Sequence, residues 1–225
     1  MYTDATLNKY NERALAAIAA ARAQHEPLEV CISVGNVKVG RILNVSLMSR
    51  ICCGNCRLCE HYCYDIKAAL QYTNVMNARA RNTVLAQDDL DEFFRQILER
   101  LTERRKKKFF RFHVGGDIIS EAYLEKMVQT ALERPRWRFW TYTKMHDMVN
   151  SYVARGGIIP ENLVILFSCD MNAVVENPYG FPLAYTVLDG DVPPEGLFKC
   201  PGNCEICIEL ERGCPFGESV YFLEH

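Results

Sequence analysis

The sequence predicts an α/β fold: a partial (β/α)6 TIM-like barrel of mostly parallel strands, with an N-terminal helix and hairpin and a C-terminal Cys-rich segment. Three observations carry that prediction. β-prone runs alternate with helical patterns at a spacing of roughly 25–30 residues, which is the mark of parallel βα units. About six such strands are present, too few for a closed eight-stranded barrel. The 225 residues suffice for one sizeable core. A doubly wound sheet is the other arrangement that fits the same rhythm.

Taken in order, residues 5–24 place Leu7, Ala14, Leu15, Ile18 and Ala19 on one stripe of an amphipathic helix, which Pro27 ends. Residues 29–40 alternate around Gly35-Asn36 and predict a hairpin. Residues 42–48 are β-prone and run straight into a group of cysteines. Residues 65–86 have helical periodicity, and Asp88-Asp89 caps a further helix ending near Arg105. The basic run Arg104 to Lys108 then reads as that helix's C-terminus, complementing the macrodipole. Strands follow at 109–114, 137–143, 163–168 and 183–188, with helices at 120–133, capped by Ser120, and at 145–154. A short strand at 219–223 ends the chain. The organisation read from this is an extension at 1–41, a barrel at 42–198 and a Cys-rich segment at 199–225.

Composition narrows the function. Hydrophobic residues make up 49% and charged residues 24%, as in an ordinary globular protein. Lys and Arg number 26 against 28 Asp and Glu, so a general nucleic-acid binder is not expected. No apolar run reaches a membrane span, and the N-terminus has no secretory pattern, so a cytoplasmic chain with no membrane partner is expected. Reduced thiols acting as metal ligands are the expected use of eleven cysteines in that setting.

The cysteines are grouped. Cys52, Cys53, Cys56, Cys59 and Cys63 lie in CCGNCRLCEHYC, and Cys200, Cys204, Cys207 and Cys214 in CPGNCEICIELERGC. Two ligand patterns overlap in the first group. Cys53-x2-Cys56-x2-Cys59-x3-Cys63 has ferredoxin spacing, which closes an iron–sulfur cluster with four thiolates. Cys52-x3-Cys56-x2-Cys59 has the spacing of the radical SAM loop, which leaves one iron open. The second group supplies four thiolates and reads as a closed cluster. Two [4Fe–4S] clusters are therefore expected, with Cys52, Cys56, Cys59 and Cys63 as first ligands and Cys200, Cys204, Cys207 and Cys214 as second. Whether Cys53 replaces Cys52 or Cys63 stays open, and zinc is the alternative metal. Cys31 and Cys169 sit in apolar, strand-like settings as buried thiols.

The Cys loop after the first strand, His113-Val-Gly-Gly-Asp117 after the next and Tyr142-Thr-Lys after the third resemble the partial barrel of radical SAM proteins. More closely, CRLCEHYCYDIKAAL, FRFHVGGDIISEAYLEKMV, FWTYTK and the terminal VYFLEH are similar to the phage-associated family known as gene product 88. That family's first Cys segment ends Cys-Tyr-Ala, which Cys63-Tyr64-Asp65 matches, with Cys59 and Cys52 in register. Cys53 and Cys56 are then additions. The gene product 88 likeness implies a bacterial or phage-encoded protein, and the radical SAM likeness implies S-adenosylmethionine as a second cofactor. Gly115 and Gly116 would allow its close approach, and Asp117 would accept from its ammonium group. The radical SAM likeness also implies a small-molecule substrate, a reductant protein and a reduced cluster that cleaves S-adenosylmethionine to a 5′-deoxyadenosyl radical. A SAM-independent iron–sulfur protein that carries electrons or binds a ligand, and a zinc-stabilised phage accessory binding module, stay open as alternatives. No catalytic residue is assigned. The residues alone allow Asp117 simply to cap the next helix, His113 to be a satisfied core histidine, and Lys144 to be solvated. Trp137, Phe139, Trp140 and Tyr142 read as packing, and His61 or His225 as occasional substitutes for a cysteine ligand.

Overall fold

The computed structural model describes residues 1–36, 38–54, 56, 59–171 and 174–223. Helix α1 (Asp4–Arg22) opens the chain, with Thr3 accepting from the Thr6 N–H as its cap. Strand β1 (Leu43–Val45) leads into the first cysteines, and α2 (Tyr64–Gln71), α3 (Thr73–Asp88) and α4 (Leu90–Arg100) follow. Then β2 (Phe109–Phe112), α5 (Glu121–Glu133), β3 (Arg138–Thr143), α6 (His146–Ala154), β4 (Leu163–Asp170) and β5 (Leu183–Val187) alternate. The chain closes with β6 (Phe198–Lys199), α7 (Cys204–Glu209) and β7 (Val220–Leu223).

The strands form one sheet in the order β1-β2-β3-β4-β5-β7-β6, and every pair is parallel. Near-sequential parallel order, with α2 to α6 in the crossovers between β1 and β4, places those helices on one side and curls the sheet into a partial TIM-like barrel, while α7 lies on the other face. Strand alternation separates two cores. Phe110, Phe112, Phe139, Ile165 and Phe167 face the helices. Trp140, Leu166, Ala184 and Val220 face the concave side, where the C-terminal segment packs through Cys214. Leu7, Tyr10, Ala14 and Ile18 of α1 belong to the helix-side core, so this helix is part of the barrel's packing. Among the described residues no helix is long and apolar enough to cross a membrane.

Three local expectations are corrected. The hairpin expected at 29–40 is present, with its turn displaced from Gly35-Asn36 and its return arm running into β1. Asn36 accepts from the Lys38 and Val39 N–H groups through Oδ1, which moves the turn to 36–40. Ser33 pairs antiparallel with Asn44 on the return arm and so covers the free edge of β1. The helix expected at 65–86 is broken at Tyr72, whose backbone is extended. One continuous helix would hold Asp65 and Arg79 about 21 Å apart, whereas the break lets them form an ion pair. Finally, α4 stops at Arg100. The Arg134 guanidinium donates to its terminal carbonyls at Leu98 (3.0 Å) and Leu101 (3.2 Å), so the basic run lies beyond the helix.

Candidate functional site: a thiol-lined cavity at the mouth of the barrel

A cavity of about 270 Å³ opens at the C-terminal ends of the strands, the end where barrel folds place their sites. Its wall takes thiols from both Cys segments: Cys53, Cys56, Cys59 and Cys63 from the first, and Cys200, Cys204, Cys207 and Cys214 from the second. The first four arrive because β1 delivers the chain to the mouth, and Cys63 begins α2 there. The second four arrive because residues 200–216 fold back over the concave face. Cys200 N–H donates to the Tyr221 carbonyl (2.8 Å) and Cys204 N–H to that of Lys38 (2.9 Å). At Gly213 (φ +76°) an added Cβ would sit 3.2 Å from Cys207 Sγ, so a side chain there would crowd that thiol.

Cys52 is not on this wall. It is 5% exposed and turned inward, with Sγ 3.6 Å from Thr83 Oγ1 and its N–H donating to the Met48 carbonyl (2.9 Å). Its neighbour Cys53 takes the cavity position. Cys56 and Cys59 thiols are 3.6 Å apart. Contact with Cys53 pushes the Cys56 thiol up to about 12, and contact with Cys56 raises Cys59 further. Burial pushes Cys63 up to about 11 and Cys207 and Cys214 to about 12. These thiols are protonated near neutrality unless a cation meets them. Among the described residues no group of three or more His, Cys, Asp or Glu is arranged to hold a single metal ion. Cys31 (Sγ to the Glu29 carbonyl, 3.8 Å) and the buried Cys169 (to the Phe167 carbonyl, 3.2 Å) lie away from the cavity.

Gly115, Gly116 and Asp117 do reach the wall. Their residue types have local causes. A Cβ on Gly115 would overlap the Asp65 carboxylate, and Gly116 has φ +84° with Leu47 Cβ 2.7 Å from where its own would be. Their N–H groups donate to Ser46 Oγ and Ser49 Oγ (both 3.2 Å). Asp117 accepts from Thr143 Oγ1 (2.6 Å) and the Lys144 (2.9 Å) and Ile118 (2.7 Å) N–H groups, tying the end of β2 to the end of β3. Burial still pushes its carboxyl up to about 6, against those bonds. Lys144 pairs with Asp170 at 3.1 Å on the rim. His61 turns its Nδ1 to the Tyr2 carbonyl (3.0 Å), off the cavity wall, and His225 lies outside the described residues.

His113 is a satisfied buried histidine. Its Nδ1 meets Thr141 Oγ1 (3.0 Å) and its Nε2 meets Tyr123 OH (3.1 Å), and burial, with Arg111 adding to it, lowers its pKa to about 3. An unfolded histidine titrates near 6.5, so from about 6.5 down to 3 the unfolded chain holds a proton that the native chain refuses. Stability from this group is complete above pH 6.5 and falls by up to about 1.4 kcal/mol per pH unit below it. Asp117 has the opposite sign: from about 6 down to 3.9 the native chain holds the extra proton and gains on acidification. Urea unfolding between pH 7 and 4 is therefore expected to show a steeper acid loss in Asp117→Asn and a shallower one in His113→Gln. Equal pH slopes in all three proteins would contradict the assignment.

Several wall residues carried no signal in the sequence. Tyr142, expected as packing, faces the cavity and donates through its hydroxyl to Cys214 Sγ (2.8 Å). Tyr64 donates to the Val114 carbonyl (2.5 Å). Asp65 is buried and accepts from Ser49 Oγ (2.6 Å) and from Arg79, joining the first Cys segment to the Gly115-Gly116 turn. Alternation along β2 and β3 foretells which side Arg111 and Tyr142 take, but not that this side encloses a cavity.

No curated protein and no solved structure matches the chain. A family model described as Gene product 88 matches residues 6–214. That span carries α1, the all-parallel strands β1 to β5, and both groups of thiols on the cavity wall. The chain belongs to the Gene product 88 family.

Proposed function

We propose that this is an iron–sulfur protein that holds two [4Fe–4S] clusters in one cavity and uses them for redox chemistry on a small substrate. One observation carries the reading: eight thiols from two distant segments line a single cavity at the barrel mouth. The donor set suits the group. Each segment offers four thiols, and in a cluster each thiolate meets its own iron, so the ligands need not converge on one point. Buried thiols crowded against one another gain from cationic iron, which removes their protons and offsets their charge. Cys53, Cys56, Cys59 and Cys63 would hold the first cluster and Cys200, Cys204, Cys207 and Cys214 the second. The inward turn of Cys52 favours the closed, ferredoxin-like set.

A second reading, radical chemistry with S-adenosylmethionine, is favoured by the Gly115-Gly116-Asp117 turn on the wall at the end of β2. When bound, that cofactor would supply the radical chemistry. Anaerobic purification should yield a brown protein with about eight irons and eight sulfides per chain, as two four-iron clusters require. Colourless, zinc-loaded protein would sink the proposal. Adding S-adenosylmethionine and dithionite should leave the EPR of the reduced clusters unchanged and release no 5′-deoxyadenosine. Its release would move the assignment to the second reading.

A further inference from the structure

Two cations of the cavity wall, Lys38 and Arg111, are paired with no acid among the described residues. Arg111, in the middle of β2, points to the concave face and stands 4.7 Å over the Tyr142 ring. Its side chain is partly open to the cavity, while its Nε is buried with no acceptor. Lys38, from the turn at 36–40, brings Nζ to 4.5 Å over the Tyr64 ring. The two are near enough that Arg111 acts on the Lys38 ammonium. Neither is in an ion pair among the described residues. The acids nearby are engaged elsewhere: Asp117 by three donors, Asp170 by Lys144, and Asp65 by Arg79 and Ser49.

Ring faces stabilise a cation weakly and do not accept the in-plane N–H groups of a guanidinium. Holding two like charges together in a partly dry cavity is costly without an anion. The Cys204 thiol lies within reach of Arg111 and Cys200 acts on Lys38, so both cations border the second thiol group. Tyr64 follows Cys63 directly, and Tyr142 bonds Cys214. The pair therefore stands between the two sets of thiols.

We infer that Lys38 and Arg111 form the anchor for the anionic group, carboxylate or phosphate, of a small organic substrate seated between the two thiol groups. This deepens the proposed function by naming the substrate's chemical class, and it rests on that reading only in treating the bound molecule as substrate. The guanidinium offers a flat fork to two oxygens, the ammonium adds a point charge, and Tyr64 and Tyr142 give apolar faces to the rest of the molecule.

Calorimetric titration of the anaerobically purified full chain, with inorganic phosphate and with acetate as probes, tests this at low ionic strength. One saturable site is expected for at least one anion, and the tighter of the two identifies the substrate's charged group. Lys38→Gln and Arg111→Gln should each weaken it at least tenfold, with iron and sulfide content unchanged in the same samples. The inference is overturned if wild type shows no saturable binding, or if both variants bind as tightly as wild type. It is also overturned if Arg111→Gln loses iron while Lys38→Gln binds normally, since Arg111 would then serve only to offset the thiolates of the second group. Anion binding by a preparation without iron would support the anchor and count against the clusters, so the two readings fail separately.

Discussion

Cys53→Ser is expected to remove about half of the protein's iron and sulfide, while Cys52→Ser leaves the full complement, because four-thiolate clusters tolerate loss of a ligand poorly. The two residues are adjacent in sequence but opposite in surroundings. Cys53 stands on the cavity wall in contact with Cys56. Cys52 is enclosed in the core beside Thr83, where a hydroxyl replacing the thiol keeps that polar neighbour. Folding of Cys52→Ser should therefore change by no more than about 1 kcal/mol. Iron and sulfide quantitation with EPR on anaerobic samples reads both outcomes. The reverse pattern would restore the Cys52-x3-Cys56-x2-Cys59 ligand set and, with it, a cluster open at one iron. Cys63→Ser completes the comparison: a closed first cluster needs this thiol, whereas an open one survives without it.

Asp65→Ala should destabilise the native state by about 3–5 kcal/mol, the cost of stranding a buried charge. The Asp65 side chain is 1% exposed and that of Arg79 is 14% exposed, so the guanidinium would lose its partner with little access to water. Ser49 would lose its acceptor as well, and with it the orientation from which its Oγ accepts the Gly116 N–H. The effect should thus reach the cavity, with lower retention of the first cluster accompanying the lower urea midpoint. Replacing both partners with apolar residues of similar volume, Asp65→Leu with Arg79→Met, should recover most of the loss, since no charge then remains buried. A loss in the double variant equal to that of Asp65→Ala would mean that packing, not charge, is what Asp65 contributes.

Much of the fold could be read from the chain. Strand positions and helix caps are local properties, and Ser120 caps α5 through the Tyr123 N–H as its residue type suggests. The alternating pattern in β2 to β5 likewise follows from side chains pointing to opposite faces. Tertiary contacts decided the exceptions. The break at Tyr72 serves an ion pair between α2 and α3. The early end of α4 is met by an arginine from another element. The arm near Ser33 pairs with Asn44 in β1, its return strand, and that register carries the turn from Gly35-Asn36 to 36–40.

At the site the division is sharper. Residue spacing and periodicity establish two groups of thiols at short intervals on a parallel α/β scaffold whose strands lead to them. That both groups face one cavity follows from packing alone, because sheet curl and the return of residues 200–216 across the concave face are set by long-range contacts. The same holds for Cys52 and Cys53. Cys52 closes a turn on the Met48 carbonyl and is carried into the core beside Thr83, whereas Cys53, the next residue, comes out on the cavity wall. It holds also for Lys38 and Arg111, whose charges are unremarkable in sequence and acquire meaning from the rings beneath them and from having no ion-pair acid among the described residues. Spacing is a property of the chain. Which side chains share an enclosed volume is a property of the packed sheet, and that volume is where charge and thiol chemistry meet.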